Sequence, residues 1–237
     1  MSAADAADPL VKVHVWDRVV RSTHWLIAGS IAVLAPTGIY IGHPMLLSPG
    51  AAGSHFIMGT IKVVHFYAAI VFTLAVLARL VWLFVGQGHA RWTEFVPVHA
   101  PRRRGMWEAL QFYLFLRSRP GEAVGHNPMA GFTYIFVFGL YLVMIATGLG
   151  LYAEGTSVGS PMRAFEILLR LTGGAQTATW IHHVVMWLLL GFVVHHVYSA
   201  ILTSAVEQNG EIDSIISGNK WIPSSEARQD AEARGRS

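Results

Sequence analysis

Four stretches of this chain run without an acidic or basic residue. Ser22 to Ile61, Val63 to Ala78, Ala123 to Ala153 and Leu171 to Val206 hold no Asp, Glu, Lys or Arg, and beyond Arg79 the second apolar run resumes as far as Val85. A helix crossing hydrocarbon ~30 Å thick needs ~20 mostly apolar residues, because each adds ~1.5 Å of rise. Each run ends on helix breakers: Gly42-His43-Pro44, Gly86-Gln87-Gly88, Gly155 and Gln208-Asn209-Gly210. The pattern predicts transmembrane helices at about 23–42, 57–85, 130–152 and 178–205, an all-α membrane protein built as a four-helix transmembrane bundle.

The connection between the second and third runs carries a shorter aromatic segment, Gly105 to Leu116, flanked by arginines. It is too short to span and reads as an interfacial amphipathic helix in a cytoplasmic loop. The organisation expected is therefore an N-terminal cytoplasmic segment over 1–22, a membrane domain over 23–206 and a mobile cytoplasmic tail over 207–237, rich in Ser, Glu, Arg and Asp. Lys and Arg flank the runs unevenly. Lys12, Arg18 and Arg21 precede the first, and Arg91, Arg102, Arg103, Arg104, Arg117 and Arg119 fill the middle connection. The 43–56 loop has none, and the 154–177 loop has only Arg163 and Arg170. The positive-inside rule then predicts both termini and the middle loop on the cytoplasmic side of the membrane.

Composition supports lipid as the main solvent. Of 237 residues only 13% are charged and 53% are hydrophobic, against about 25% charged in an ordinary soluble domain. The pI near 9.4 does not point to nucleic acid, because the basic residues flank apolar runs and form no stripe. Residues 1–10 lack the basic region and apolar core of a signal peptide, so none is expected. Cysteine is absent, which excludes disulfides, thiolate-bound haem and iron–sulfur ligation by this chain. Any redox cofactor must be held by histidine or methionine.

Twelve histidines are present. His65, His182, His183, His195 and His196 lie inside the apolar runs, and His24 stands at the start of the first. Ionisable groups in a bilayer are costly and mark function. On the fourth helix, at ~100° per residue, His182 and His196 differ in direction by about 40°, His183 and His195 by about 120°, and the mixed combinations by about 140°. Only the first choice puts two rings on one face, and it separates them by roughly 21 Å along the axis, one near each leaflet. Depth then pairs His65 with His182 towards the outside and His24 with His196 towards the cytoplasm. Two neutral imidazoles per iron suit haem and favour electron transfer over oxygen binding. The expectation is two b haems. Arg79, near the cytoplasmic end of the second helix, either pairs with a haem propionate or snorkels to the interface. Gly38 and Gly148, beside Thr37 and Thr147, either admit a macrocycle close to the backbone or serve ordinary small-residue packing.

These residues resemble a known family. Arg21-Ser-Thr-His24-Trp25, Met58-Gly-Thr-Ile-Lys-Val-Val-His65-Phe66, Tyr113-Leu-Phe-Leu-Arg-Ser-Arg-Pro120, Gly125-His-Asn-Pro128, Thr147-Gly148, Tyr152-Ala-Glu154-Gly155 and His196-Val-Tyr198 are similar to the b-type cytochrome subunit of membrane-bound nickel–iron hydrogenases, within the superfamily of di-haem membrane cytochromes b. The likeness covers about residues 12–220. It implies a membrane anchor that takes electrons from a periplasmic hydrogenase, through its iron–sulfur small subunit and nickel–iron large subunit, and passes them to membrane quinone. It implies His24, His65, His182 and His196 as haem ligands. It places Asn127, with His126 nearby, at a quinone site, or else at a helix cap. Such a chain is an electron-transfer subunit and not a complete enzyme. Two departures lie at the expected cytoplasmic ends of the first and fourth helices: Thr23 stands where the family often has Trp, and Thr203-Ser-Ala-Val-Glu207 replaces an acidic stretch. Two other readings stay open: the cytochrome subunit of a formate dehydrogenase or other periplasmic oxidoreductase, and a proton or metal transporter built on histidine. The second usually needs mid-membrane acidic residues, which the helix centres here lack.

Overall fold

A computed structural model of the chain describes residues 8–44, 56–95, 100–117, 128–208 and 210–235. The elements in order are strand β1 (Leu10–His14), helices α1 (Arg18–Gly42), α2 (Ile57–Val85), α3 (Ala100–Tyr113), α4 (Pro128–Glu154), α5 (Glu166–Thr172), α6 (Ala175–Glu207) and α7 (Glu211–Ser217), strand β2 (Asn219–Pro223) and helix α8 (Ser224–Gly235). Four are long and apolar enough to cross a membrane: Arg18–Gly42, Ile57–Val85, Gly131–Glu154 and Ala175–Val206. The protein is a multi-pass, all-α membrane protein, as the charge-free runs predict. Its helices expose apolar side chains freely, with Leu74 61% and Phe84 71% accessible. That is the reverse of a water-soluble surface and fits a hydrocarbon solvent. The first helix begins five residues before the expected start, at Arg18. Asp17 explains the early start, since its Oδ1 accepts from the Val20 amide at 2.8 Å as an N-cap.

The chain divides into two compact units, one of residues 23–78 and 137–194, the other of 1–22, 79–136 and 195–237. In the first, α2, α4 and α6 contribute Phe72, Val76, Val137, Tyr141, Val185 and Leu189 to the buried set. The Phe72 and Tyr141 rings meet edge to face at 5.1 Å, a geometry favoured by the ring quadrupoles.

The second unit holds the largest departure from expectation. The segment 207–237 is not a bare tail. It forms α7, β2 and α8, and β2 pairs antiparallel with β1, Lys12 opposite Trp221. Its average composition is polar, but Ile212, Ile215, Ile216, Trp221 and Ile222 are spaced within it. Val15, Trp16, Val20, Ala90 and Ile222 form a small core. Trp16 donates from Nε1 to the buried Ser214 hydroxyl at 2.9 Å. Lys220, only 1% exposed, is paired with Glu211 and lies 6.0 Å from the Trp16 ring centroid. The turn between α7 and β2 requires glycine. Gly218 has φ 87°, a Cβ there would come within 2.7 Å of the Trp16 carbonyl, and its own carbonyl accepts from the Val15 and Trp16 amides at 2.8 and 3.1 Å.

Asp8 caps α8 from the other end of the chain, accepting from the Ser224 and Ser225 hydroxyls and from the Ser225 amide. The Ser224 hydrogen bond, then those of Ser225, hold its carboxyl down at about 2. The same unit contains α3, the interfacial helix of the sequence reading. Ala109 and Phe112 are buried while Trp107, Leu114, Phe115 and Leu116 are exposed. Glu108 bridges Arg117 at 3.0 Å and Arg104 at 3.2 Å, and the Arg117 hydrogen bond leads in holding its carboxyl below the usual range.

Two outcomes test the paired termini. Ile222→Ala removes a buried side chain and costs about 2–4 kcal/mol. Limited trypsin digestion of the detergent-solubilised protein then cuts faster at Lys220 and Arg228, with the far-UV circular dichroism of the spans unchanged. Asp8 has a depressed carboxyl, so its contribution is present above the unfolded value near 3.8 and is lost as pH falls through about 2. The difference in digestion between wild type and Asp8→Asn is present at pH 6, where trypsin reads it. By hydrogen exchange it shrinks between pH 4 and pH 2.

Candidate functional site: a histidine pair braced by threonines

Membrane helices leave polar side chains no water to bond, so each must be satisfied within the chain. In the unit of 23–78 and 137–194, two histidines meet that condition the same way. His65 on α2 has Nδ1 2.8 Å from the Thr37 hydroxyl on α1. His182 on α6 has Nδ1 2.8 Å from the Thr147 hydroxyl on α4. Each threonine also donates back along its own helix, Thr37 to the Val33 carbonyl at 2.7 Å and Thr147 to the Val143 carbonyl at 2.7 Å. This i−4 bond is common for threonine in helices.

Glycine follows each threonine, and both glycines lie directly against the histidine rings. A Cβ on Gly38 would stand 3.3 Å from His65 Cε1 and 3.9 Å from Met186 Sδ. A Cβ on Gly148 would stand 3.4 Å from His182 Cε1. Thus α1 and α2 frame one braced histidine and α4 and α6 the other, and Met186 of α6 reaches the space beside Gly38.

The neighbouring histidines face elsewhere. His183 Nδ1 is 2.8 Å from the Thr179 carbonyl of its own helix, and its Nε2 is 2.7 Å from where a Cβ of Gly42 would stand. The ring is laid against the α1 backbone. In the other unit, His195 is exposed and has Nε2 3.4 Å from the Ser199 hydroxyl one turn on. His196 is half-buried, edge to face with Tyr134 at 6.4 Å. His24, half-buried at the start of the first apolar run, packs edge to face with Trp25 at 5.2 Å.

Arg79 is 6% exposed, so it does not snorkel to an open surface. Its guanidinium donates to the Ala90 carbonyl at 3.4 Å and stands 5.6 Å from the centroid of Phe95, a cation–π distance. Phe95 packs on Tyr134 at 6.2 Å, the same ring that meets His196. His126 and Asn127 lie outside the described residues.

The family model for prokaryotic cytochrome b561 matches residues 15–218. The chain belongs to that family. This cytochrome is 40% identical over 212 residues to a protein of Cupriavidus necator named "Probable Ni/Fe-hydrogenase B-type cytochrome subunit", covering 86% of this chain and 85% of the relative. A protein of the same name in Azotobacter vinelandii is 38% identical, covering 87% of each chain. An Escherichia coli relative, "Probable Ni/Fe-hydrogenase 1 B-type cytochrome subunit", is 36% identical over 217 residues, covering 90% of this chain and 92% of the relative. The likeness seen in the motifs extends over residues 15–218.

As a b-type cytochrome the protein carries haem b. The donors suit that group: imidazoles inside an apolar site, each braced at Nδ1, with a glycine lying against each ring. The threonine braces were not anticipated. Their signal was present as a Thr-Gly pair recurring in the first and third apolar runs, but a single chain does not show which histidine each pair serves.

Gly148→Leu is expected to displace the His182 ring and lower the haem content of the purified cytochrome by the pyridine haemochrome assay. Gly139→Leu on the same helix is the control. Nothing lies within 4 Å of a Cβ there, and its haem content is expected to match wild type.

Proposed function

We propose that this cytochrome is the membrane subunit of a nickel–iron hydrogenase. In that role it holds two b haems and carries electrons from the hydrogenase's iron–sulfur small subunit to membrane quinone. The observation that carries this reading is the braced pair His65 and His182, together with the hydrogenase names of relatives that share nearly the whole chain. Haem bound there supplies a one-electron couple between ferric and ferrous iron, which suits a relay between iron–sulfur clusters and a quinone.

The remaining roles belong to the chain's own side chains. His65 and His182 each offer Nε2 to one iron. His24 and His196 serve the second, a pairing that rests on depth along the helices. Arg79, buried and positively charged, pairs with a propionate. His126 and Asn127 supply hydrogen-bond donors to a quinone carbonyl. The arginine distribution sets both termini and the middle connection in the cytoplasm of a bacterial inner membrane, so the end of the fourth helix carrying His182 faces the periplasm. There the small subunit docks, with the nickel–iron large subunit behind it.

Single substitutions test this in the hydrogenase complex. His24→Ala, His65→Ala, His182→Ala and His196→Ala are each expected to lose one haem and to abolish hydrogen-dependent quinone reduction. Hydrogen oxidation with an artificial acceptor survives, since that chemistry belongs to the partner subunits. His183→Ala and His195→Ala keep both haems. A haem lost from His183→Ala but not from His182→Ala refutes the assignment.

A further inference from the structure

The Thr37 and Thr147 hydroxyls do more than satisfy a buried ring. A carbonyl oxygen only accepts hydrogen bonds. The single hydroxyl hydrogen of Thr37 is therefore engaged by the Val33 carbonyl at 2.7 Å, and that of Thr147 by the Val143 carbonyl at 2.7 Å. At 2.8 Å from each histidine Nδ1, the threonine oxygen is left as the acceptor, and Nδ1 carries the proton. The neutral ring then has its lone pair on Nε2. Histidines that ligate metals generally donate the other ring N–H to an acceptor, which sets the tautomer and raises the basicity of the ligating nitrogen. Here the acceptor hydroxyl is itself polarised by its bond to a carbonyl, and chained hydrogen bonds of this kind strengthen one another in a low-dielectric site.

We infer that Thr37 and Thr147 are positioning residues for the haem held by His65 and His182: each holds its histidine with Nε2 presented to the iron and, by enriching the imidazole in electrons, lowers that haem's reduction potential. An electron-richer ligand stabilises ferric iron over ferrous iron, so the sign is fixed. Both axial ligands carry the same device, one from α1 to α2 and one from α4 to α6, so the two effects add on a single iron. Gly38 and Gly148 lie beside the rings with no side chain of their own; a Cβ would stand 3.3 and 3.4 Å from Cε1 of His65 and His182. The inference rests on the ligand reading proposed above.

The test is a redox titration of the purified full-length cytochrome, with electron paramagnetic resonance of its ferric haems. Thr37→Val and Thr147→Val remove the oxygen while keeping the side-chain shape. Thr37→Ser and Thr147→Ser keep the oxygen. With the inference correct, each valine variant raises the midpoint potential of one haem and alters its low-spin signal. The double valine variant raises the same haem further. Both serine variants titrate as wild type. Unchanged potentials and spectra in the valine variants overturn it. So does a serine variant that shifts as far as its valine counterpart, which makes the effect one of packing. Where a valine variant loses the haem, the serine variant decides by the same criterion. The two readings fail separately. If His65→Ala keeps both haems, the ligand assignment is wrong; if it loses one while Thr37→Val titrates as wild type, only the threonine role is wrong.

Discussion

A polar side chain in hydrocarbon must find its hydrogen bond inside the protein, because no water is there to supply one. Most of what is distinctive in this cytochrome follows from that constraint. Histidine inside these helices is satisfied either by its own backbone, as His183 is, or by a neighbouring helix, and for His65 and His182 that neighbour presents a threonine. Its hydroxyl is first satisfied by its own helix and still has lone pairs to offer. The requirement for close approach then places glycine beside each threonine. A pattern that looks like small-residue packing becomes, in three dimensions, a brace for a buried histidine.

The same constraint separates the histidines in adjacent positions. His182 is braced from α4, whereas His183 turns back to its own backbone and lies against Gly42. Each ring is satisfied, but the acceptors point them in different directions. Arg79 shows the cationic counterpart. It is held by a backbone carbonyl and an aromatic face in place of water.

Outside the spans the solvent changes and so do the devices. The paired termini are held as a small water-soluble domain would be, by a two-stranded ladder, a buried lysine paired with Glu211, and the Asp8 cap on α8. Trp82 donates to Asp17 at 2.7 Å, so the carboxylate that starts α1 also anchors the end of α2. The cap of the first span, the end of the second and the chain termini are thereby joined through a handful of polar contacts around one small apolar core.

Sequence alone determined the four spans, since a charge-free run of sufficient length in lipid has no other stable outcome than a helix. It also separated the histidines by face, because helical phase is arithmetic within one element. The course of 207–237 was not legible. Its partner strand lies some two hundred residues away, and an averaged composition conceals the few apolar positions that pack. The threonine braces were half-legible: the Thr-Gly pairs could be seen, but not the rings they hold. Those contacts join different helices, whose relative rotation is set by packing. Only the tertiary structure could decide that Thr37 meets His65 and Thr147 meets His182, or that Arg79 is buried.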